Sequence, residues 1–534
     1  MRDKMYNTNI LVRLILRRER FTSSVWILLI AGICSFLAPT FGVMMDYASR
    51  QAILPALENP AMIAMMGPII GADNFTQGAM FTTFMLLFTA IAVVVMNIML
   101  VVRHTRADEE KGRYEVVRSL PTGRLAHLNA ALIVTVLVNT LLAGITGLGL
   151  FLLGDASMCF NGSMLWGALL GSVGLLFAVI AAVFSQLSAS SKGAMGYSFF
   201  IMGAFYLIRA IGDTGENVLS LISPLGLILQ AEAYVGNYWW PVFVLLIISI
   251  PVALLAYRLN LTRDIDQGLL PDKQGKAEGG TLLTSPFGLS LRLSKTGLIV
   301  GFASIFTLAA SYGMIMGDID GFLEANEFYQ QLILWIDGIS MPLLFAGVIN
   351  FTGALMALIP MLLYVLRVRG EEKDNRAELV LATPVSRYKF LGGYVIISFV
   401  SSVFLQLLTA LGMWLAASAV LPNPDDFPLA VVIRANLAYL PALWVIIGLT
   451  IFLIGVLPKA TGFIWAVFGA VFFLGMFGRM DIFPGWVQNL SPFGFIPQYP
   501  MESLSLTPMI VLTLIAAGLT VAGFVGFRQR DVKL

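Results

Sequence analysis

The chain has 534 residues, of which 58% are hydrophobic and only 12% are charged, and its mean hydropathy is +0.85. This composition excludes a water-soluble globular protein of such length and indicates a membrane protein with many spans. The formal net charge of +2 gives no reason to expect a nucleic-acid partner.

Apolar runs long enough to cross a bilayer follow one another along the whole chain. Roughly 20 helical residues span a hydrocarbon core that is about 30 Å thick. We therefore expect an all-α polytopic membrane protein with about twelve transmembrane helices, six in each half. The predicted spans are residues 24–44, 78–102, 128–153, 164–187, 193–210, 237–257, 296–316, 343–366, 391–420, 428–455, 460–478 and 507–527.

The segment before the first span predicts an interfacial helix rather than a cleavable signal peptide. Residues 10–20 alternate apolar residues with Arg13, Arg17, Arg18 and Arg20. Arginines at these positions interrupt the apolar core that a signal peptide requires, and they favour an amphipathic helix at the membrane surface. Residues 289–295 have a similar character, so we expect such a helix before each half.

Basic residues predict the orientation of the chain. Lys and Arg concentrate in the segments 103–124, 258–295 and 367–389, which would share one side of the membrane with the N-terminus. The loop 317–337 on the opposite side contains five acidic residues and no Lys or Arg. The positive-inside rule therefore predicts that both termini lie in the cytoplasm and that the basic loops face membrane lipid.

Two charged segments repeat one pattern in the two halves. Glu115, Pro121 and Arg124 recur as Glu378, Pro384 and Arg387, with the spacing Glu-x5-Pro-x2-Arg in both cases. Acidic residues favour the start of a helix, and proline disfavours helix just before it. Each segment thus predicts a helix about three turns long across the cytoplasmic tips, with charged side chains projecting from it. The second copy differs by Ala377 in place of Tyr114 and by Asn375, which we interpret as an insertion.

The duplication extends over the whole chain. Apolar segments at 221–226 and 489–494, each with a Ser-Pro step, lie before the last span of each half and would dip back into the membrane. Because each half has an even number of spans, the two modules would be parallel repeats. We expect a first six-span module at 1–260, a flexible cytoplasmic linker at 261–282 and a second six-span module at 283–534.

The two charged segments, which we call the hairpins, carry a resemblance to a known family. Residues 109–124 and 376–387 resemble the coupling helices of ABC-2-type exporter permeases. The stretches Arg-Asp-Ile-Asp-Gln-Gly-Leu-Leu-Pro-Asp (263–272) and Ser-Pro-Phe-Gly-Leu (285–289) are similar to a branch with two permease modules in one chain. That branch is described as exporters of polyketide antibiotics, including polyether ionophores such as tetronasin or narasin. The resemblance covers essentially the whole chain.

The resemblance implies a function and a set of contact residues. It implies a bacterial cell membrane, a hydrophobic cargo and two copies of a separate ATP-binding-cassette subunit, which would hold ATP and Mg²⁺. The residues that would dock those subunits are Glu109, Glu110, Arg113, Glu115, Arg118, Pro121, Arg124, Glu371, Glu372, Arg376, Glu378, Pro384 and Arg387. The alternative interpretation is that these are merely solvated loop charges.

No phosphate-loop motif occurs in the sequence, and the one Gly-Lys pair, Gly275-Lys276, is followed by alanine. We therefore expect a transport subunit that is not itself an enzyme and has no cofactor of its own. An ion-coupled secondary multidrug transporter is the alternative, although it requires ionisable groups within the spans, which hold almost none. A membrane enzyme is disfavoured because no catalytic cluster is evident, and Cys34 and Cys159 suggest no metal site or disulfide.

The cargo pathway is predicted from residue type alone. Its candidates are Phe81, Phe84, Phe88, Asn97, Asn350 and Gln406, which would face a central cavity. A pathway with few fixed charges suits hydrophobic or amphipathic cargo. The alternative for the amides, together with Asn139 and Asn436, is hydrogen bonding between neighbouring helices.

Overall fold

The fold is built from α-helices. The computed structural model describes residues 2–44, 50–51, 53–58, 60–215, 218–264, 267–270, 278–319, 339–477 and 490–530. These residues contain no β-strand, and the chain divides into two compact units, residues 1–274 and 275–534. The boundary between the units falls within the segment that was predicted to be a linker.

The helices of the first unit are α1 (Thr8–Met44), α2 (Leu54–Leu57), α3 (Pro60–Met66), α4 (Gln77–Arg103), α5 (Arg106–Glu110), α6 (Arg113–Arg118), α7 (Ala126–Phe151), α8 (Phe160–Leu187), α9 (Ser191–Thr214), α10 (Leu219–Ile222), α11 (Pro224–Leu229) and α12 (Trp240–Thr262). Short 3-10 helices occur at Arg2–Met5 and Ala72–Asn74. The hairpin of this unit is formed by α5 and α6.

The helices of the second unit are α13 (Pro286–Ile315), α14 (Met341–Lys373), α15 (Arg376–Leu381), α16 (Arg387–Val420), α17 (Leu429–Leu437), α18 (Leu440–Val456), α19 (Ile464–Phe477) and α20 (Leu506–Gln529). Its 3-10 helices are Thr281–Thr284, Met316–Asp318, Pro424–Asp426, Pro458–Phe463 and Pro492–Phe495. The acidic loop predicted between its first two spans falls mostly at 320–338, outside the described residues.

Within the described residues, twelve helical segments are long and apolar enough to cross a membrane, six in each unit. They are Thr8–Phe41, Gln77–Glu110, Ala126–Phe151, Phe160–Leu187, Ser191–Thr214, Trp240–Thr262, Pro286–Ile315, Met341–Lys373, Arg387–Val420, Leu429–Val456, Pro458–Gly475 and Leu506–Gln529. The predicted all-α polytopic fold is confirmed, and the protein is a multi-pass membrane protein.

The start of each half differs from the prediction. The predicted interfacial segments 10–20 and 289–295 are not separate helices, because α1 and α13 run through them without a break. No proline stands between Arg20 and the first span, so no local helix breaker ends α1 there. One side of the extension is buried through Leu11, Ile15 and Glu19, which are spaced by four residues and so share one helix face.

Glycines bring α18 and α20 into close contact in the second unit. A Cβ atom added at Gly455 would lie 2.0 Å from the carbonyl oxygen of Gly523, and one added at Gly448 would lie 2.8 Å from that of Ala516. In membrane proteins, small residues at helix interfaces permit this backbone approach, and van der Waals packing then holds the helices together. The pair α18 and α20 therefore depends on glycine at position 455.

Gly455→Leu is expected to destabilise the second unit, because the clash is with backbone and no side-chain rotation relieves it. Overpacking of this kind typically costs about 1–3 kcal/mol. The measurement is the melting temperature of the purified chain in detergent. Gly518→Leu on the partner helix α20 is the control, since its Cβ would meet nothing within 4 Å. Equal melting temperatures for the two variants would contradict the close-packing argument.

The two Ser-Pro steps form related local structures. The Ser223 side chain accepts a hydrogen bond from the Leu225 amide at 3.2 Å, and α11 begins at Pro224. The Ser491 side chain likewise accepts from the Phe493 amide at 3.3 Å, ahead of the 3-10 helix Pro492–Phe495. Serine caps with proline at the first helical position are favourable at helix starts. Residue 489 of the predicted second segment lies outside the described residues.

Part of the predicted linker is attached to the first unit. The amides of Leu269 and Leu270 donate to the carbonyls of Gln186 and Leu187 at the end of α8, at 3.3 and 2.9 Å. The Gln267 carbonyl accepts a hydrogen bond from the Arg263 guanidinium at 3.0 Å. These bonds hold residues 267–270 against the first unit. Residues 265–266 and 271–277 lie outside the described part of the chain.

Candidate functional site

Each unit carries a charged hairpin between its second and third spans. The hairpin helices α6 and α15 are six residues long, which is about two turns and shorter than the predicted three. Both helices end three residues before the proline that was expected to limit them, at Arg118 and Leu381. The turns of the two hairpins can be compared residue by residue, because every position is shifted by the same number.

The residue before each hairpin helix corrects one prediction. Asn375 is not an insertion, since it occupies the position that Gly112 has in the first hairpin. Both residues have a left-handed backbone, with φ of 67° at Gly112 and 58° at Asn375. Glycine and asparagine are the residues that adopt this conformation most readily. The chain therefore makes the same sharp turn before α6 and before α15.

An acidic residue behind each turn holds the first residue of the hairpin helix. In the first unit, Asp108 is buried and accepts hydrogen bonds from Arg113 at 3.0 Å and from Arg18 at 2.8 Å. In the second unit, buried Glu371 accepts from Arg376 at 2.6 Å, and this contact raises the pKa of the Arg376 guanidinium. Arg376, which was predicted to project from its helix, thus folds back onto its own hairpin, as Arg113 does in the first unit.

A second acidic residue joins each hairpin to the end of the last span of its unit. Glu109 accepts two hydrogen bonds from Arg263, at 2.8 and 2.6 Å, and lies 3.2 Å from Arg106. Arg263 is the residue that follows α12. These three side chains are buried, and we call them the first hairpin anchor. The bidentate geometry is the strongest form of a charge-assisted hydrogen bond.

The second unit repeats this arrangement with its own residues. Glu372 is buried and accepts hydrogen bonds from Arg369 at 2.8 Å and from Arg530, which follows α20. We call these three residues the second hairpin anchor. Arg106 and Arg369 hold corresponding positions in the two hairpins, three residues before the glutamate. Both anchors therefore link a hairpin to the end of the sixth span of its unit.

The arginines after the prolines reach the same helix ends. Arg124 donates to the carbonyl of Arg263 at 2.7 Å. Arg387 donates to the carbonyls of Arg528 and Arg530 at 2.8 and 2.6 Å. Pro121 and Pro384 are exposed, and Glu110 caps the start of α9 by accepting from the Ser191 amide at 2.8 Å.

The opposite face of each hairpin helix is exposed. Glu115 and Val116 in α6 correspond to Glu378 and Leu379 in α15, and all four side chains are exposed. The apolar pair is unusually so, with 68% of Val116 and 73% of Leu379 accessible. Within the described part of the chain, neither glutamate forms an ion pair. Each hairpin therefore presents one carboxylate beside one aliphatic side chain.

The buried face of the two hairpin helices differs. Tyr114 is buried, donates to the Arg124 carbonyl at 3.3 Å and packs edge-on against the ring of His127. Burial raises the pKa of the Tyr114 hydroxyl. Arg118 lies over the same tyrosine ring, with its guanidinium carbon 5.8 Å from the ring centre. Ala377 takes the position of the tyrosine in the second hairpin and is also buried.

Sequence reasoning missed the basic partners of the anchors. Arg106, Arg263 and Arg369 contribute to the basic charge from which the orientation was predicted, but the sequence pattern paired neither them nor Arg530 with a carboxylate. A signal was present, since an arginine follows the last span in each half, at positions 263 and 530. His104 was also missed as a partner, and its Nε2 lies 2.8 Å from Glu19 in the first unit.

The predicted pathway amides link helices within their own units. Asn97 and Asn139 exchange hydrogen bonds at 3.1 and 2.6 Å, joining α4 to α7. Asn436 donates to Asn350 at 3.2 Å, joining α17 to α14. All four side chains are buried. This is the arrangement that the alternative interpretation of these amides expects.

The aromatic candidates lie on a different face of α4 from Asn97. Sixteen residues of α-helix rotate the chain by roughly 160° from Phe81 to Asn97. Phe81 is buried, with its ring centre 5.2 Å from that of Trp166, whereas Phe88 is exposed. Phe84 stacks on Phe41 at 5.6 Å. Gln406 belongs to α16 and is buried, with no hydrogen-bond partner for its amide among the described residues.

A further ion pair lies near the end of the fifth span. Arg209 is fully buried in α9, and its Nη1 donates to Asp213 at 3.0 Å and to the Ile63 carbonyl at 3.3 Å. Its Nη2 donates to the carbonyl of Ala64. Asp213 also accepts from the hydroxyl of Ser220. The guanidinium thus joins α9 to the last turn of α3.

The part of the chain that the structure describes contains no group of three or more His, Cys, Asp or Glu residues that could hold a metal ion. Cys34 is buried beside Thr89, and Cys159 is exposed at the start of α8.

Comparison with known proteins places this architecture in a family. The chain matches the family model described as "Multidrug efflux system permease Rv1217c, C-terminal domain" over residues 12–258 and 283–528. It is 32% identical to "Multidrug efflux system permease protein Rv1217c" of Mycobacterium tuberculosis over 532 residues, which cover 98% of this chain and 95% of the relative. The matched segments include both hairpins. The chain therefore belongs to the Rv1217c family of multidrug efflux system permeases.

Proposed function

We propose that this chain is the membrane-spanning subunit of an ATP-driven drug exporter in the cytoplasmic membrane of a bacterium, with both termini in the cytoplasm. Family membership supports a drug-export permease. The sequence lacks a phosphate-loop motif, so the ATPase would be a separate polypeptide. One ATP-binding-cassette subunit would dock on each hairpin, giving two per chain, and these subunits would bind ATP and Mg²⁺.

The observation that carries this proposal is the two-sided construction of both hairpins. Buried ion pairs fix the back of each hairpin to its own unit, through Glu109 in one and Glu372 in the other. The front presents Glu115 with Val116, or Glu378 with Leu379. Protein interfaces combine desolvated apolar anchors with a polar rim, and a rigid surface binds at a lower entropic cost.

A merely solvated loop offers a weaker account of the same geometry. Such a loop has no need to keep an acidic residue paired behind the turn and a carboxylate with an aliphatic residue in front of it. Here the pattern occurs twice, and it is built from different residues, since Asp108 is replaced by Glu371 and Val116 by Leu379. The repetition favours a docking surface in both units.

The cargo in this proposal is hydrophobic or amphipathic, in the class of polyketide antibiotics and polyether ionophores. Of the predicted pathway residues, Phe84, Phe88 and Gln406 are the candidates for its wall, because Phe81 packs on Trp166 and the amides of Asn97 and Asn350 are paired with Asn139 and Asn436. Few charges lie within the spans, which favours apolar cargo over sugars or ions. Of these residues, Phe88 is the most accessible to a ligand, with 42% of its surface exposed.

One observation favours the alternative of an ion-coupled secondary transporter. Arg209 and Asp213 form a buried ion pair within a candidate span. Ionisable groups inside membrane spans often mark ion or proton pathways. The contacts of Arg209 with the carbonyls of Ile63 and Ala64 favour a structural role instead.

The test is to purify the tagged chain in nanodiscs from its native host and to identify the proteins that accompany it by mass spectrometry. We expect an ATP-binding subunit at two copies per chain, and ATP hydrolysis that rises with ionophore. Recovery of the chain alone, with drug transport that follows a proton gradient and ignores ATP, would replace the proposal with the secondary-transporter alternative.

A further inference from the structure

The hairpin of the first unit holds the end of α12 at two points. Before the hairpin helix, the Glu109 carboxylate receives both terminal nitrogens of Arg263, at 2.8 and 2.6 Å. After the hairpin helix, Arg124 donates to the Arg263 carbonyl at 2.7 Å. Residues on both sides of α6 therefore form hydrogen bonds with Arg263, one with its side chain and one with its backbone. A rigid-body shift of the hairpin cannot leave this residue behind without breaking buried bonds.

The second unit forms the same double contact at the end of α20. Glu372 receives Arg530, and Arg387 donates to the carbonyls of Arg528 and Arg530. The contacts in the two units are made by separate sets of side chains, so they are two independent observations of the same arrangement. The hairpins differ elsewhere, for instance at Tyr114 and Ala377. The contact with the last span is thus a feature that both copies retain.

Stability alone does not account for a buried ion pair at this place. A well-packed apolar pair often stabilises a fold as much as a buried ion pair does, because desolvation offsets much of the charge attraction. The bidentate pair of Arg263 and Glu109 adds a fixed geometry, since two parallel N–H to O bonds hold the guanidinium and the carboxylate in one relative orientation. Arg263 keeps that orientation through a further bond from its Nε to Gln186, at 2.7 Å.

The gripped helices lead further into their units. α12 packs along α8, and α20 packs along α18. The second of these contacts is the close glycine interface at Gly455 and Gly523. Coupling between distant sites is carried by such chains of packed rigid elements. A continuous path therefore runs from each hairpin, through its anchor and the last span, to a further span.

We propose that the pairs Glu109–Arg263 and Glu372–Arg530 are positioning contacts that make each hairpin and the last span of its unit move together. The displacement that a bound ATPase subunit imposes on the hairpin reaches α12 or α20 through these pairs. This inference rests on the proposed function. It adds the residues that transmit the movement, as distinct from the exposed residues that receive it.

The test uses the full chain with its ATP-binding subunits in proteoliposomes, and it measures drug exported per ATP hydrolysed. Glu109→Gln combined with Glu372→Gln removes the acceptor charge from both anchors. We expect both subunits to stay bound and ATP hydrolysis to continue, while drug exported per ATP falls about tenfold. A purely structural role would lower the yield of folded complex and leave that ratio unchanged.

A second variant covers the case in which the first does not fold. Arg263→Lys combined with Arg530→Lys keeps the positive charge of both pairs but removes the planar guanidinium and, at Glu109, the bidentate contact. It is expected to lower the same ratio by a smaller factor. Asp73→Asn combined with Asp425→Asn is the control, because both carboxylates are exposed and lie outside the hairpins.

Two outcomes separate this inference from the function on which it rests. A wild-type chain that carries no ATP-binding subunit would overturn both proposals. A wild-type chain with two subunits, together with an unaltered ratio of export to hydrolysis in both anchor variants, would overturn only the role of the anchors.

Discussion

Glu115→Lys combined with Glu378→Lys is expected to abolish drug export while the chain remains inserted and folded. Both carboxylates are exposed at the front of their hairpin helices, beside Val116 and Leu379. Reversing an exposed charge away from packed or paired groups changes folding stability little. At an interface, however, it places like charges against each other, which weakens the complex and excludes the cognate partner.

The measurement has three parts: drug resistance of cells that express the variant, the amount of ATP-binding subunit that co-purifies, and drug-stimulated ATP hydrolysis. Asp73→Lys combined with Asp425→Lys is the matched control, since it makes the same charge change at exposed positions outside the hairpins. We expect the control to behave as the wild type. Full resistance in cells that carry both hairpin reversals would remove these surfaces from the docking model.

Arg209→Met is expected to be among the most destabilising single substitutions in the chain. Arg209 is fully buried, and its loss leaves the Asp213 carboxylate without its ion-pair partner at 3.0 Å. It also removes the donors to the carbonyls of Ile63 and Ala64 at the last turn of α3. Breaking a buried ion pair on one side typically costs about 3–5 kcal/mol.

The check is the melting temperature and the monodisperse fraction of the detergent-purified variant. Adding Asp213→Leu to Arg209→Met should restore part of the loss, because the uncompensated charge is then gone. A single variant as stable as the wild type would contradict a structural role. Asp213→Asn tests the alternative directly, because ATP-driven export should persist in it, whereas proton-coupled transport through this carboxylate would stop.

The spans were predictable because hydrophobic length is a local property of the sequence. The second span was expected at 78–102, and α4 occupies Gln77–Arg103. The starts of α1 and α13 were predicted less well, for a physical reason. An amphipathic helix on a membrane surface and a continued span have the same local helix propensity, so periodicity alone does not separate them.

The repetition of the hairpins could be predicted from the sequence. Which of their acidic residues are buried in ion pairs and which are exposed could not. Glu109 and Glu115 are the same residue type in one short segment, yet the first is buried in an anchor and the second is exposed. What separates them is Arg263, which lies 154 residues away from Glu109 along the chain. Pairing over such a distance is decided by how the helices pack, which no local pattern records.

The partners of the predicted pathway amides also could not be read from the sequence. Asn97 is a polar residue among apolar neighbours, and the sequence leaves both a cargo contact and a helix contact open. The structure gives Asn97 a reciprocal partner in Asn139. Only the position of α7 against α4 makes that pairing possible.

The buried faces of the hairpin helices α6 and α15 differ in sequence, and this difference has an evolutionary consequence. Tyr114 packs on His127 in one copy, whereas the other has Ala377 at the position of the tyrosine and Phe390 at that of the histidine, and Phe390 packs on Tyr394 and Phe527. In a transporter assembled from two identical chains, any such change would appear in both halves at once. Fusion of the two copies in one gene lets selection adjust one half while the other keeps its original fit.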